Sequence, residues 1–349
     1  MGNYVYFYAV DPGAVSVMKA IVASSPDNVK CHWIAEGYAK SLFDSKRIEY
    51  FDTNNIEKIF NARGVMVFGS QINYKKTAEL INHSLEQGIK TIFIFDHWCN
   101  YRDHFTLPNG SFALPTRIFV MDEYVNEKLV NFGVDPSKIC IIGHPGIEFE
   151  VNKVKEIASR RKQGIREKIG AALKDKIILL ALEPLSEDFP AKTLDYDEYS
   201  IALLVHQVIR EMEVENLQLV VRLHPRQSFS KFHKFLQSKN IHQEVILYPR
   251  ELSLAESLSI TDMVIGMYSV FLIKALILGK PTISLQFNPK IDYEKIPPLE
   301  RIKINEPSEL GHIIAEKLSK EPNEKIYFPT DCNKKAWDEI RMLLSDESN

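Results

Sequence analysis

Two short stretches of this 349-residue chain combine polar groups in a way that suits an anion. In 220-VVRLHPRQ-227 a run of Val and Leu ends on Arg222, His224, Pro225 and Arg226. Pro225 lacks the N–H that a central strand needs, so the strand stops there and His224 falls at its C-terminal end. An imidazole so placed can become cationic beside an anion and can pass a proton to a leaving group near neutral pH. Arg222 lies within the strand, on the side opposite Leu223. One βα unit later, 262-DMVIGMYSVFLIKALILGKPTISLQ-286 offers Ser269 at the corresponding place. Ser269 opens a helical run to Gly279, and the free N–H groups and dipole of such a first turn favour an anion. Taken singly, His224 could be a satisfied structural histidine and Ser269 an ordinary N-cap. At corresponding strand ends of one sheet, the two together describe halves of a phosphate cradle.

Other strand ends carry candidate chemistry. In 11-DPGAVS-16, Asp11 precedes a Gly-containing turn and a helix; it could act as a base or simply cap that helix. The loop 95-FDHWCNYRDHF-105 is dense in large polar groups. Its Trp98 and Tyr101 could stack on a sugar ring while Asp96, His97, Asn100 and Arg102 bond hydroxyls. A structural Asp–His pair is the plain alternative, and the spacing of Asp96, His97 and His104 matches no metal motif. The stretch 143-GHPG-146 reads mainly as a tight turn leaving the first domain; His144 could face the cleft, with a bland loop residue the favoured reading. In 183-EPLSEDFP-190, Glu183 could accept hydrogen bonds from a ribose or base, or be solvated.

The elements that must position these residues alternate. Short β-branched and aromatic runs (4–10, 64–69, 90–95, 117–121, 138–142) are separated by segments of helical period such as 72–88 and 122–133. A second series follows, with strands at 177–182, 217–223, 244–248, 263–266 and 281–286 and helices at 198–213, 269–279 and 307–320. Apolar runs alternating with helices argue for an α/β class with parallel sheets covered by helices. The expected architecture is two Rossmann-like domains facing a central cleft. We place an N-terminal acceptor domain at 1–155, a nucleotide-donor domain at 156–325 and a C-terminal helical segment, 326–349, that packs back on the first. The basic stretch 151–176, helical in period and with charges that suit a solvated helix face, marks the junction. In open α/β sheets ligands bind outside the C-terminal ends of the strands, where these residues lie.

Bulk properties narrow the partners. With a net charge of −3 and a pI near 6.4, no overall basic field exists to hold nucleic acid. The four cysteines are scattered and form no CxxC pair, a usage that fits a reducing compartment and offers no grouped metal ligands. No signal-peptide pattern opens the chain and no apolar run is long enough to span a bilayer, so the expected location is cytoplasmic, with peripheral membrane association left open.

On these motifs the chain resembles glycosyltransferases of the GT-B fold. The HP dipeptide after a second-domain strand and the downstream G-M-Y-S-V…G-K-P are similar to those of bacterial sialyltransferases and polysialyltransferases. The segment 261-TDMVIGMYSVFLIKALILGKP-281 also resembles the T-D-x-x-S…G-K-P of CDP-glycerol glycerophosphotransferases. The resemblance implies that His224 and Pro225 meet the donor phosphate, with His224 as general acid. It implies that Ser269 and Tyr268 bind that phosphate and that the helix ending at Gly279 packs the donor site. In sialyltransferases the base is an acidic residue in an acidic-Gly pattern; that pattern is not clean here, so Asp11 or Asp96 stands in. Such enzymes commonly use no metal and no cofactor beyond the donor.

The expected activity is inverting, metal-independent transfer of a sugar, a nonulosonic acid such as a sialic acid relative, from a CMP-activated donor to a glycan, glycolipid or protein. Three alternatives stand beside it: a UDP-sugar epimerase or hydrolase of similar fold, a CDP-glycerol-type polyol-phosphate transferase, and a non-catalytic sugar-nucleotide-binding protein.

Overall fold

The computed structural model describes residues 3–53, 64–188, 195–287, 296–319 and 326–345. The chain divides into two compact units, Met1–Phe149 with Phe328–Asn349, and Glu150–Tyr327.

The first unit is built on β1 (Asn3–Ala9), α1 (Pro12–Val22), β2 (Val29–Ala35), α2 (Gly37–Lys46), β3 (Val65–Gly69), α3 (Tyr74–Glu86), β4 (Lys90–Ile94), β5 (Arg117–Val120), α4 (Glu123–Asn131), β6 (Ile139–Ile141) and the start of α5 (Pro145–Glu156). Its six strands are all parallel, in the order β2-β1-β3-β4-β5-β6. The order reverses between β1 and β3. Phe7, Val67, Ile92 and Phe119 are fully buried, as strands covered on both faces require. A helix from the other end of the chain, Cys332–Ser345, joins this core through Ala336, Trp337 and Ile340. The Trp337 indole donates to the Ile21 carbonyl at the end of α1 (2.9 Å). The Glu148 carboxylate accepts the N–H groups of Asp331 (2.6 Å) and Cys332 (3.0 Å), meeting the free donors at that helix's start.

The second unit follows with α6 (Ser159–Ile169), β7 (Lys176–Ala181), α7 (Glu198–Glu211), β8 (Leu217–Arg222), α8 (Phe229–Ser238), β9 (Val245–Leu247), α9 (Leu254–Ile260), β10 (Met263–Gly266), α10 (Val270–Ile277), β11 (Thr282–Leu285), β12 (Lys303–Ile304) and α11 (Leu310–Ser319). Its strands are again all parallel, ordered β12-β11-β10-β7-β8-β9, and reverse between β7 and β10. Helix starts are locally encoded. Asp197 and Ser200 close a capping box at α7, and Ser253 and Glu256 do so at α9.

Several sequence readings need correction. The strand β2 and the helices α2, α8 and α9 escaped the period analysis; β2 (29-VKCHWIA-35) carries Lys, Cys and His on its less buried residues and so lacks an apolar run. The stretch 143-GHPG-146 is not merely a turn. Gly143 is left-handed (φ 84°), but Pro145 and Gly146 already form the first turn of α5, with the Ile147 N–H bonded to His144 Nδ1 (3.2 Å). The basic stretch 151–176 is mostly helix, α5 and α6, as its helical period implies, and the units divide beside it, within α5. Residues 320–325, where the expected boundary at 325 falls, lie outside the described residues, as do 189–194 and 346–349.

Candidate functional site

The second unit's strand order places its crevice between β7 and β10, and a specific bond spans it. Glu183, just past β7, accepts the backbone N–H of Tyr268, just past β10, at 2.8 Å. The segment carrying Glu183 is itself anchored. The buried Glu198 at the start of α7 accepts from the Ser186 N–H (2.9 Å) and from its hydroxyl (2.8 Å). The Tyr196 ring packs edge-on to Phe287.

Ser269 is the N-cap of α10, its Oγ accepting the Phe271 N–H (3.3 Å). The Leu272 N–H in the same turn bonds the Ser269 carbonyl (3.0 Å). The helix stops at Gly279, left-handed at φ 72°.

His224 is held by its own turn. Its N–H donates to Gln227 Oε1 (2.8 Å), and its Nδ1 accepts the Arg226 N–H (3.3 Å). In the neutral ring an accepting Nδ1 puts the proton on Nε2. Pro225 and Arg226 are exposed. β8 neighbours β7, so His224, Glu183 and the Tyr268–Ser269 pair occupy the ends of three adjacent strands, β8, β7 and β10.

Arg222, the last residue of β8, lays its guanidinium over the Phe271 ring, 5.5 Å from the centroid, in the first turn of α10. Buried Lys274 lies one turn further along α10. Burial, with Glu150 opposing and the Arg222 charge adding, brings its ammonium down to about 8. Sequence reasoning passed over Lys274; the signal was a single Lys inside 270-VFLIKALI-277.

In the first unit the reversal between β1 and β3 is bridged in the same manner: Asp11 Oδ2 accepts the Ile72 N–H at 2.8 Å. Asp11 is the N-cap residue of α1, yet its side chain makes no cap bond. Asp96 lies against that helix start instead. A Cβ placed on Gly13 would fall 1.6 Å from Asp96 Oδ2, so only glycine admits the carboxylate there. Burial raises the Asp96 carboxyl above the usual range; Ser70 and His97 act against that shift, and Asp11 adds to it.

The rest of the loop after β4 departs from the sugar-platform expectation. Trp98 and Tyr101 are 0% and 1% exposed, so neither ring face is open for stacking. Trp98 instead donates to Asp122 Oδ2 (2.6 Å), the N-cap of α4. His97 Nδ1 meets Cys99 Sγ at 3.2 Å, and Asn100, left-handed at φ 56°, donates to the same sulfur. Arg102 is exposed and lies over the Phe112 ring (4.9 Å). His104 is buried among Phe93, Phe95 and Tyr74, and burial drives it down to about 3, a neutral core residue. Among the described residues no three His, Cys, Asp or Glu are placed to hold a metal ion.

No family model and no curated protein matches the chain. Solved structures do. UDP-GlcNAc 2-epimerase from Neisseria meningitidis, bound to UDP-GlcNAc, superposes with a TM-score of 0.70 at 14% identity, covering 99% of this chain and 100% of that one. The chain has the GT-B fold. A glycosyltransferase from Rickettsia africae matches with a TM-score of 0.61 at 12% identity, over 99% of this chain and 94% of that one. A variant of the wall teichoic acid polymerase TagF with CDPG matches with a TM-score of 0.59 at 13% identity, over 99% and 89%. At such identities the likeness is one of fold.

Proposed function

We propose that this protein is a glycosyltransferase that takes its sugar from a nucleotide-activated donor. The observation that carries the reading is the second unit's bridged crevice. Glu183 fixes Tyr268 and so the start of α10, while His224 and Arg222 bring donors and positive charge to the same strand ends. That arrangement suits a phosphate and the charge that grows on it as a sugar departs. The acceptor oxygen attacks the anomeric carbon, the bond to phosphate oxygen breaks, and its electron pair goes to the phosphate. His224 Nε2–H stabilises or protonates that oxygen. Of the two carboxylates at the first unit's strand ends, Asp96 is the better candidate for a base, because burial raises its affinity for protons and Asp11 is committed to Ile72. The positive charge that meets the phosphate is the protein's own, so the reading needs no metal. A CMP-activated nonulosonic acid is the donor that the HP motif and Ser269 suggest; the structural neighbours include proteins with bound UDP-GlcNAc and CDPG.

A second reading is epimerisation or hydrolysis of a UDP-sugar, favoured by the near-complete mutual coverage with UDP-GlcNAc 2-epimerase. One assay separates them. The protein is incubated with CMP-N-acetylneuraminate, UDP-GlcNAc and CDP-glycerol, each with and without a panel of glycan acceptors. Nucleotide release that depends on acceptor supports transfer; a 2-epimer or free nucleotide from UDP-GlcNAc alone supports the second reading.

A further inference from the structure

His144 lies just past β6 and is 3% exposed. Both of its ring nitrogens are used. Nδ1 accepts the Ile147 N–H (3.2 Å), and Nε2 lies 3.0 Å from the Asp96 carbonyl oxygen. A backbone N–H can only donate and a carbonyl can only accept. Both bonds therefore call for one form of the ring, neutral with its proton on Nε2. His144 thereby joins the start of α5 to the loop after β4.

That bond falls where the sheet gives out. Just past β4 the Phe95 N–H still bonds the Phe119 carbonyl (3.1 Å), but the next residue, Asp96, finds its carbonyl partner in a side chain, His144. The ring is itself held. It stacks on Trp98, with centroids 6.4 Å apart and planes at 25°, and the Trp98 indole is tied to Asp122. Gly146 seats the same turn on α1, where a Cβ would fall 2.9 Å from Ser16 Oγ. α1 is also the helix whose Gly13 admits the Asp96 carboxylate. Asp96 is thus fixed at two points, its carbonyl by His144 and its carboxylate against Gly13.

We propose that His144 is a positioning residue, which holds Asp96 by its backbone so that the carboxylate is set to take the acceptor's proton. The inference rests on the reading of Asp96 as the base. The proton passes from the acceptor oxygen to the Asp96 carboxylate, and the imidazole keeps one form throughout. A base carried on a loop loses rate steeply when it is displaced by about an ångström, which is the displacement that the His144 bond prevents.

The test separates the two edges of the ring. In His144→Asn the amide oxygen can still accept from Ile147, but no donor reaches Asp96. In His144→Gln the amide nitrogen stands where Nε2 stood and can donate to the Asp96 carbonyl. The Asp96 carboxyl is followed by carbon-13 NMR titration of the full-length protein labelled at aspartate, with its signal assigned from Asp96→Asn. Burial raises it in the wild type, against Ser70 and His97 and with Asp11. His144→Gln should titrate with the wild type. His144→Asn should fall toward the ordinary aspartate value of about 3.9 as the carboxylate gains water. Turnover is then measured with CMP-N-acetylneuraminate, UDP-GlcNAc and CDP-glycerol over the panel of glycan acceptors. On the donor that reacts, His144→Asn should lower kcat roughly ten- to hundredfold with the donor KM unchanged, and His144→Gln should stay within about threefold of wild type. If none of the three reacts, the titration decides alone. A His144→Asn protein that titrates like the wild type, or a Gln variant that fails as badly as the Asn variant, overturns the inference and leaves Asp96 as the base. Wild-type turnover in Asp96→Asn removes the base itself, and this inference with it.

Discussion

Glu183 accepts the backbone N–H of Tyr268 across the reversal point of the second sheet, at 2.8 Å. A carboxylate on one strand end thus holds the backbone that leads into the neighbouring helix. Asp11 and Ile72 repeat the device at the reversal point of the first sheet. In both units the crevice of a doubly wound sheet is fixed by a charge-assisted bond from side chain to backbone.

Replacing Glu183 by Ala leaves the Tyr268 N–H without its partner. We expect a loss of about 1–3 kcal/mol in urea unfolding and a larger proportional loss of nucleotide affinity. Glu183→Gln keeps an acceptor oxygen and should recover most of the stability. Equal affinities in wild type and Glu183→Ala would show that the bridge does not shape the site.

Gly13→Ala should expel the Asp96 carboxylate from the start of α1, since the new Cβ would lie 1.6 Å from Oδ2. Turnover should fall at least tenfold. In an Asp96→Ala background the same change should cost little stability, because the clash is gone. A double-mutant cycle by thermal unfolding measures this coupling. Additive effects would mean that the close approach is unimportant.

Lys274→Met should make the ligand-free protein more stable. The folded-state pKa of Lys274 is lowered from 10.5 to about 8. Stability is therefore favoured above 10.5 and lost as pH falls through about 8, where the buried amine takes up its proton. The variant escapes that loss. Its advantage should be about 2–3 kcal/mol at pH 7 and shrink as pH rises from 8 toward 10.5. Unfolding of both proteins across that range checks the sign.

Trp98→Phe should lower stability by about 1–3 kcal/mol through the lost bond to Asp122 and leave the acceptor KM unchanged. A selective rise in acceptor KM would instead restore Trp98 to the sugar-binding role that its residue type suggests.

Strand-end logic made part of the candidate site legible. Arg222, His224 and Ser269 stand out because each breaks an apolar run just where a parallel strand must end. Glu183 was visible as a carboxylate, but its bond to Tyr268 depends on sheet order, which periodicity does not encode. Lys274 was hidden for the opposite reason: inside an apolar helix it reads as a stray charge, and its burial is visible only in the fold. Trp98 and Tyr101 misled because a cluster of aromatic and polar residues looks the same whether it faces a ligand or, as here, closes a core. β2 was illegible because His32 and Cys31 interrupt its apolar pattern.

The most direct test of the central claim is a thermal-shift panel of CMP, CDP, UMP, UDP, GDP and dTDP on the wild type and on Arg222→Met. The account predicts that at least one pyrimidine nucleotide raises the melting temperature of the wild type, and that the same ligand raises that of Arg222→Met much less. No shift with any nucleotide, or an equal shift in the variant, would contradict a phosphate site at the start of α10.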